Sequence, residues 1–474
     1  MKRLLVSILS VAIAFPLAAD AKGPFEGTWV GELHLDAVIL RLVFTISSSA
    51  DGPSATMDSP DQGAAGIPVS RVTVVGSSIV MEVKTIGGSY AGTLSADGAS
   101  IDGIWSQSSQ QFPVLLRKND GPFTLNRPQE PRPPFPYTST EVTFPDQKAG
   151  VVLAGTLTVP PGPGPFPTVV LVAGSGPLDR DEQLMGHKPF LVIADYLSRN
   201  GIEVLRYDER GVGKSKGSFA AATTLDFADD AEAAVAFLSS RSEVDASRLG
   251  ICGHSQGAIV APLVAARNKS VHFIVVLAGP GVRGDELLLQ QNAALARASG
   301  ADEKRVAALV RLNRAIYDAV IQEGDLAERQ AKVTKIFLDS IDSDPTLSEA
   351  AKSEARKGLD KVLAEVSTPW LRNLLTLDPG AALATLRIPV LALTGSKDLQ
   401  VLADPNLAAI KAALDKAGNT SYRVVKLDGL NHLFQHAKTG LPSEYGTITE
   451  TFAPEALAAI KDFILDNGVT PCSE

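Results

Sequence analysis

Cysteine is nearly missing from this chain, with two in 474 residues. Two thiols build neither a disulfide framework nor a cysteine-rich metal site. Basic clusters are missing too. Asp+Glu outnumber Lys+Arg by 53 to 44, a net charge of −9. That balance offers no electrostatic footprint to nucleic acid or an anionic membrane, so neither is expected as a partner. Beyond the N-terminus no stretch has the length and purity of a membrane span. Apolar residues are what the chain has in quantity, 45% against 20% charged. That is enough for large cores and too much for a mainly disordered chain. The length leaves room for two or three domains.

Lys2 and Arg3, the apolar run 4–14, Pro16 and Ala19-Asp20-Ala21 stand in the order of a secretory signal peptide, residues 1–21. Cleavage is expected after Ala21, giving a periplasmic or secreted protein. The apolar run is too short to span a bilayer, and no Cys near the cleavage point could take a lipid, so no stable membrane anchor is expected. An oxidising compartment would allow Cys252 and Cys472 to pair. The default for Cys252, inside an apolar run, is a buried and inert thiol.

Residues 22–118 read as strands only, in about seven short runs separated by pairs such as Asp51-Gly52, Gly76-Ser77 and Asp97-Gly98. A small all-β meander, sandwich or barrel is expected, with Trp29 and Trp105 as core plugs. Six prolines between 122 and 136 then mark a stiff linker, 119–137. From 138 to 468, short apolar runs at 168–173, 203–207, 248–252, 273–278, 389–394 and 422–427 alternate with helical stretches. Such runs fit a parallel sheet buried on both faces, hence a doubly wound α/β domain. Residues 285–378 are helical throughout and interrupt the alternation. An insertion at the carboxyl edge of the sheet would form a lid, with Trp370, Phe337 and Tyr317 shaping an apolar acyl pocket.

Gly253-His254-Ser255-Gln256-Gly257 matches G-x-S-x-G, a weak pattern by itself. Its setting strengthens it, because it follows an apolar strand directly and runs on as a helix. That sharp turn would lift the Ser255 hydroxyl above the sheet and leave the next N–H at a helix N-terminus. Gly213-Lys214-Ser215-Lys216-Gly217 fits the same pattern but lies in a loop with no helix behind it, so Ser215 reads as turn chemistry. Gly279-Pro-Gly-Val-Arg-Gly284 imitates a dinucleotide motif. The acid expected about twenty residues on falls between two helices, so that reading fails.

A nucleophilic serine needs a base and an orienting acid. The histidines are 34, 187, 254, 272, 432 and 436. His34 falls in the β region, and His254 and His272 lie on or beside strands that direct them away from Ser255 or into packing. His432 follows the last strand, in a turn at the sheet's carboxyl edge. His436 is four residues on, but no third ligand accompanies the two, so no metal is expected. Asp398, in Gly395-Ser-Lys-Asp, follows the strand 389–394. Ser255, Asp398 and His432 thus stand in the α/β-hydrolase triad order, each at the end of a different strand. The loop Ala173-Gly-Ser-Gly-Pro177 supplies a second N–H, making Ser175 and Gln256 the expected oxyanion donors. Asp179, Arg180, Asp181 and Glu182 read as a local salt-bridged turn.

With these residues in view, segment 138–468 resembles the α/β-hydrolase superfamily. More narrowly, it is similar to bacterial serine carboxylesterases of the lysophospholipase/serine-aminopeptidase-like branch. The resemblance is carried by Gly174-Ser-Gly-Pro-Leu-Asp-Arg-Asp-Glu182, Tyr207-Asp-Glu-Arg-Gly-Val-Gly-Lys-Ser215, the elbow at 253–257, Gly395–Asp398 and Leu430-Asn-His-Leu-Phe-Gln435. Ala173 departs from it, since many relatives have His there. The resemblance implies hydrolysis of a small-molecule ester through an acyl-enzyme, with no metal and no cofactor. A peptidase, aminopeptidase, thioesterase or lactonase would use the same residues. An envelope- or carbohydrate-binding protein with a vestigial hydrolase is the reading from another class. The β domain lies outside the resemblance.

Overall fold

The computed structural model describes residues 23–35, 38–49, 52–62, 64–108 and 110–466. The expected leader and Cys472 lie outside them. The described chain divides into two compact units, the first drawn from 23–35, 39–60 and 64–124 and the second mainly from Leu125 onward.

The first unit is one nine-stranded sheet: β1 (Gly27–Leu35), β2 (Val38–Ser49), β3 (Gly52–Ser59), β4 (Ala64–Pro68), β5 (Arg71–Val75), β6 (Ser78–Val83), β7 (Gly88–Leu94), β8 (Ser100–Gln107) and β9 (Gln110–Asn119). Their order is β4-β3-β2-β1-β9-β8-β7-β6-β5, a meander in which the first strand pairs antiparallel with the last. Its ends are drawn together at residues 69 and 70. The Val69 N–H donates to Ala55 O of β3, and the Ser70 N–H to Glu82 O of β6. The all-β expectation holds, but two strands were not legible in the sequence. β3 and β4 are built of small and polar residues, and in β3 only Met57 and Ser59 are buried. Pairing to β2 makes β3 a strand, since its residues lack the alternation that signals one. Trp29, Phe44, Tyr90 and Trp105 fill the interior. Their polar ends are satisfied: Trp29 Nε1–H donates to Phe25 O at 2.7 Å, and Tyr90 O–H to Ile101 O at 2.8 Å.

The second unit carries an eight-stranded sheet: β10 (Thr138–Asp146), β11 (Val151–Val159), β12 (Phe166–Val172), β13 (Glu203–Tyr207), β14 (Val244–His254), β15 (Phe273–Leu277), β16 (Val390–Gly395) and β17 (Tyr422–Leu427), in the order β10-β11-β13-β12-β14-β15-β16-β17. β10 and β11 are antiparallel, as are β11 and β13, and the remaining pairs are parallel. The antiparallel pair is an addition to the six expected strands. Along β12, Val170 and Val172 face one core while Val169 and Leu171 face the other. Helices α1 (Pro189–Arg199), α2 (Thr224–Ser239) and α3 (Gln256–Arg267) follow β12, β13 and β14. Phe227 and Leu238 of α2 and Val264 of α3 cover the first face, and Phe190, Ile193 and Leu197 of α1 cover the second. Burial on both faces explains why these strands read as continuous apolar runs.

Between β15 and β16 runs the helical insertion: α4 (Gly284–Ala298), α5 (Glu303–Ile321), α6 (Leu326–Asp342), α7 (Glu349–Arg356), α8 (Leu359–Val366), α9 (Pro369–Thr376) and α10 (Pro379–Leu383). Side chains of Asp302, Asp325, Ser348, Thr368 and Asp378 each accept the N–H three residues on, which sets where five of these helices begin. α7 and α8 are separated at Lys357-Gly358, where glycine is a weak helix former. The final helices are α11 (Ala403–Ala417) and α12 (Pro454–Asp466).

The proline-rich segment packs on the second unit from Leu125 onward. Arg127 donates to the carbonyls of Gly446 (2.7 Å), Ile448 (2.9 Å) and Gly186 (3.0 Å). Gln129 Oε1 accepts the N–H groups of Thr451 and Phe452. Prolines alone suggested only a spacer, whereas these hydrogen bonds make its second half part of the α/β unit.

Candidate active site

From β12 the chain crosses to β13 on one side, returns through α2 to β14 on the other, and continues outward to β15. The direction of crossing therefore reverses between β12 and β14, which opens a crevice at their carboxyl ends. Ser175 follows β12 and Ser255 follows β14, so both emerge at that crevice.

Ser255 sits at φ 52°, ψ −111°, a backbone conformation costly for any residue with a Cβ. Its flanking glycines permit the turn. A Cβ at Gly253 would meet Gly257 O at 2.0 Å, and one at Gly257 would meet Val172 O at 2.0 Å. Strand, turn and helix are thus pressed together, and only hydrogen atoms fit between them. Ser255 immediately precedes α3, which leaves the Gln256 N–H at the positive end of that helix.

Asp398 follows β16, and His432 follows β17. His432 Nδ1 lies 2.8 Å from Asp398 Oδ2, and His432 Nε2 lies 3.1 Å from Ser255 Oγ. The other Asp398 oxygen accepts the N–H groups of Gln400 and Val401, each at 2.8 Å. Three hydrogen-bonding groups therefore converge on a carboxylate that is 2% exposed. The turn that carries His432 is shaped by its neighbour. Asn431 Oδ1 accepts the N–H groups of Leu433 and Gln435, and Phe434 takes φ 58°. The structure thus brings together three residues that are 143 and 34 positions apart in order along the chain, Ser255 to Asp398 and Asp398 to His432.

Ser175, Ser255 and Gln256 line one cavity of ≈ 230 Å³, to whose wall the insertion contributes. Among the described residues neither the Ser175 nor the Gln256 amide N–H has a hydrogen-bond partner. Two unpaired N–H groups beside a serine hydroxyl can receive an anionic oxygen. The lining corrects one expectation. Tyr317 and Trp370 contribute to it and Phe337 does not, and Gln291, Asn292, Glu365 and Gln400 give the wall polar groups beside Leu287, Leu288, Leu371 and Leu374. An apolar pocket was expected because side-chain direction on a helix of unknown packing is not visible in sequence.

The run 179–182 does turn locally, with Asp179 accepting the N–H groups of Asp181, Glu182 and Gln183, but its ion pairs reach outside the turn. Arg180 pairs with Asp208 (2.7 Å), Asp181 with Arg206, and Glu182 with His254 (2.8 Å). Asp208 also accepts the Lys214 N–H, and Glu209 accepts the Leu178 N–H. The motif 207–215 therefore holds down the loop that presents Ser175. Ser215 is buried within it, donating to Asp208 O and accepting from Ala154 N–H. His436 turns away from His432 toward Glu450 and Glu455. His254, Glu182, Gln400 and Asn431 are the site residues that sequence reasoning passed over. The signal for the first two was their position inside the motifs at 253–257 and 174–182.

The sequence model of the family described as "Serine aminopeptidase, S33" matches residues 188–437, more than half of the chain. The chain belongs to this α/β-hydrolase family. The match includes Ser255, Asp398 and His432 and takes in the whole insertion. Esterase EstD of Thermotoga maritima is 29% identical over 283 residues, 59% of this chain and 58% of that protein. Polyketide transferase claH of Penicillium crustosum is 37% identical over 97 residues, 20% of this chain and 30% of that one. The chain thus spans less than two thirds of the length of these curated relatives. Among solved structures, an esterase of Pyrococcus furiosus superposes with a TM-score of 0.42 at 17% identity, covering 70% of this chain and 91% of that one.

Proposed function

We propose that this family member hydrolyses small carboxylic esters through an acyl-enzyme, with Ser255 as nucleophile, His432 as general base and acid, and Asp398 as the group that orients it. The observation that carries the reading is the run Asp398–His432–Ser255 at 2.8 and 3.1 Å, beside a cavity lined by two residues with unpaired amide N–H groups. Asp398 accepts the Nδ1–H, which leaves the Nε2 lone pair for the serine proton. Ser255 Oγ attacks the acyl carbon as its proton passes to Nε2. The Ser175 and Gln256 N–H groups take the developing oxyanion. Collapse expels the alcohol, which carries away the Nε2 proton. Water then attacks the acyl-enzyme by the same route, releasing the carboxylic acid and restoring the Ser255 hydroxyl.

The esterase name of the Thermotoga relative supports an ester substrate. A fluorophosphonate should add a single label, on the peptide bearing Ser255, and stop turnover of a p-nitrophenyl ester. Hydrolysis that survives complete labelling ends the reading. No labelling and no hydrolysis would instead revive the alternative of a binding protein with an idle hydrolase fold.

One observation favours an aminopeptidase as the second reading. Among the described residues Glu365 is the one charged side chain lining the cavity, a candidate partner for a substrate ammonium. Faster cleavage of aminoacyl amides than of matched esters, abolished by Glu365→Gln, would select it. The order of charged, apolar and small residues in 1–21 supports export, with the enzyme working in the periplasm or outside the cell.

A further inference from the structure

We propose that Glu182 and His254 form a positioning pair, sharing one additional proton, that ties the oxyanion loop to the backbone of His432. The proposal rests on the hydrolase reading above and concerns residues that touch no substrate. Glu182 Oε1 accepts the Gly174 N–H at 2.8 Å, one residue before Ser175. The same oxygen lies 2.8 Å from His254 Nδ1, and His254 Nε2 lies 2.9 Å from the carbonyl oxygen of His432. His254 is also the residue before Ser255. One pair therefore meets the loop of the oxyanion donor, the elbow of the nucleophile and the turn of the base. Both members are buried, at 2% and 6% exposure, and Glu182 holds φ 53°, a conformation uncommon for a residue with a side chain.

Hydrogen-bond chemistry fixes the proton count. A carbonyl oxygen only accepts, so Nε2 must carry a hydrogen. A carboxylate also only accepts, so either Nδ1 carries a second hydrogen or the carboxyl itself does. In both arrangements the pair holds one proton more than a carboxylate beside a neutral imidazole. Four groups surround the pair. The His432 ring is 4.9 Å from that of His254, centroid to centroid. Asp398 acts on His254 through space, and Glu182 acts on the Glu209 carboxyl and the Cys252 thiol. Burial opposes a charged His254 ring, but the Glu182 carboxylate, the His432 carbonyl and Asp398 together outweigh it and hold His254 above its ordinary value.

The raised value sets the sign. The clamp is complete below the ordinary histidine range and is lost as pH rises through the folded-state pKa of His254. The remaining hydrogen then stays on the stronger, carboxylate-facing bond. The bare Nε2 turns a lone pair on the His432 carbonyl, and the base loosens.

The test uses the full chain, a p-nitrophenyl ester, and the variants Glu182→Gln, His254→Gln and the double. Each single variant should lower kcat on the order of 10²-fold, the cost of a small misplacement at a reacting centre. KM should stay within about threefold, because the cavity lining is untouched. Wild-type activity should fall on an alkaline limb that the variants lack. The double variant should cost no more than the costlier single, as expected of groups acting as one unit. The proton is read separately from turnover, by ¹⁵N spectra of labelled histidines in Ser255→Ala at neutral pH. His254 should show hydrogen on both ring nitrogens or a Nδ1 bonded to a protonated carboxyl, and Glu182→Gln should remove either signature. Wild-type kcat in folded Glu182→Gln, a loss confined to KM, additive losses, or a singly protonated His254 beside an ionised Glu182 would each overturn the pair. Turnover surviving in Ser255→Ala would instead sink the hydrolase reading, and the spectra would still decide the pair. If no variant folds, the spectra of Ser255→Ala decide alone.

Discussion

Two serines lie in the same five-residue pattern, and the structure assigns them opposite kinds of importance. Ser215 is 6% exposed. Its hydroxyl donates to Asp208 O at 2.6 Å and accepts the Ala154 N–H at 2.9 Å. Ser215→Ala removes both hydrogen bonds and leaves two buried backbone groups without them. At roughly 1 kcal/mol net per bond the cost is about 2 kcal/mol. The second unit spans about 340 described residues from Leu125, and unfolding entropy is roughly 2 cal/mol/K per residue, so Tm should fall by about 3 °C. The Ser215 hydroxyl is absent from the cavity lining, so kcat/KM should stay within about threefold. Ser255→Ala should do the reverse. Its hydroxyl bonds only to His432 Nε2 among the described residues, so Tm should hardly move. Loss of a nucleophile costs on the order of 10⁴–10⁶ in kcat. Thermal unfolding and p-nitrophenyl ester kinetics on the two variants, measured side by side, make the test. Near-wild-type turnover in Ser255→Ala, or lost turnover with unchanged Tm in Ser215→Ala, would refute the reasoning.

Asp398→Asn should lower kcat by about 10⁴ with KM little changed, because an amide no longer secures the Nδ1–H tautomer of His432; a loss under tenfold would contradict it. Glu203 lies fully buried at the start of β13, where burial first and Glu243 second push its carboxyl up to about 7. The unfolded chain ionises this acid first, so wild-type stability should fall as pH rises from about 4.5 to about 7. Glu203→Gln should therefore gain relative Tm over that interval, and parallel pH–Tm curves would refute it. A fragment beginning at Leu125 should fold and keep ester hydrolysis, whereas one beginning at Thr138 loses the Arg127 and Gln129 hydrogen bonds and should melt lower. Equal melting temperatures would dismiss that role. Protein from the producing cell's envelope or medium should begin at Lys22 by intact mass, and retention of Met1 in the cytosol would end the export proposal.

Periodicity and glycine chemistry carried much of the architecture. Five of the six parallel strands were legible as apolar runs because they are buried on two faces, whereas the edge strand β17 is only half-buried. The elbow at 253–257 was legible because a strand meeting a helix at that angle leaves no room for a Cβ at either glycine. Helix caps at Asp302, Asp325 and Ser348 are also local facts, made by a side chain and an N–H three residues away. Other features have no local cause. β3 and β4 are strands through pairing, and β11, with β10 hairpinned to it, joins the sheet through its long-range ladder to β13. The cavity wall mixes amides with leucines because of how α4, α8 and α9 pack, which a helical period does not reveal. The same limit hid the partnership of Glu182 with His254. They are 72 residues apart, and each alone looks like an ordinary turn acid or packed histidine. Residue types and spacing along the chain determined which groups were available for the chemistry. Tertiary packing decided which of them meet, because a hydrogen bond depends on distances of about 3 Å that separation in sequence does not encode.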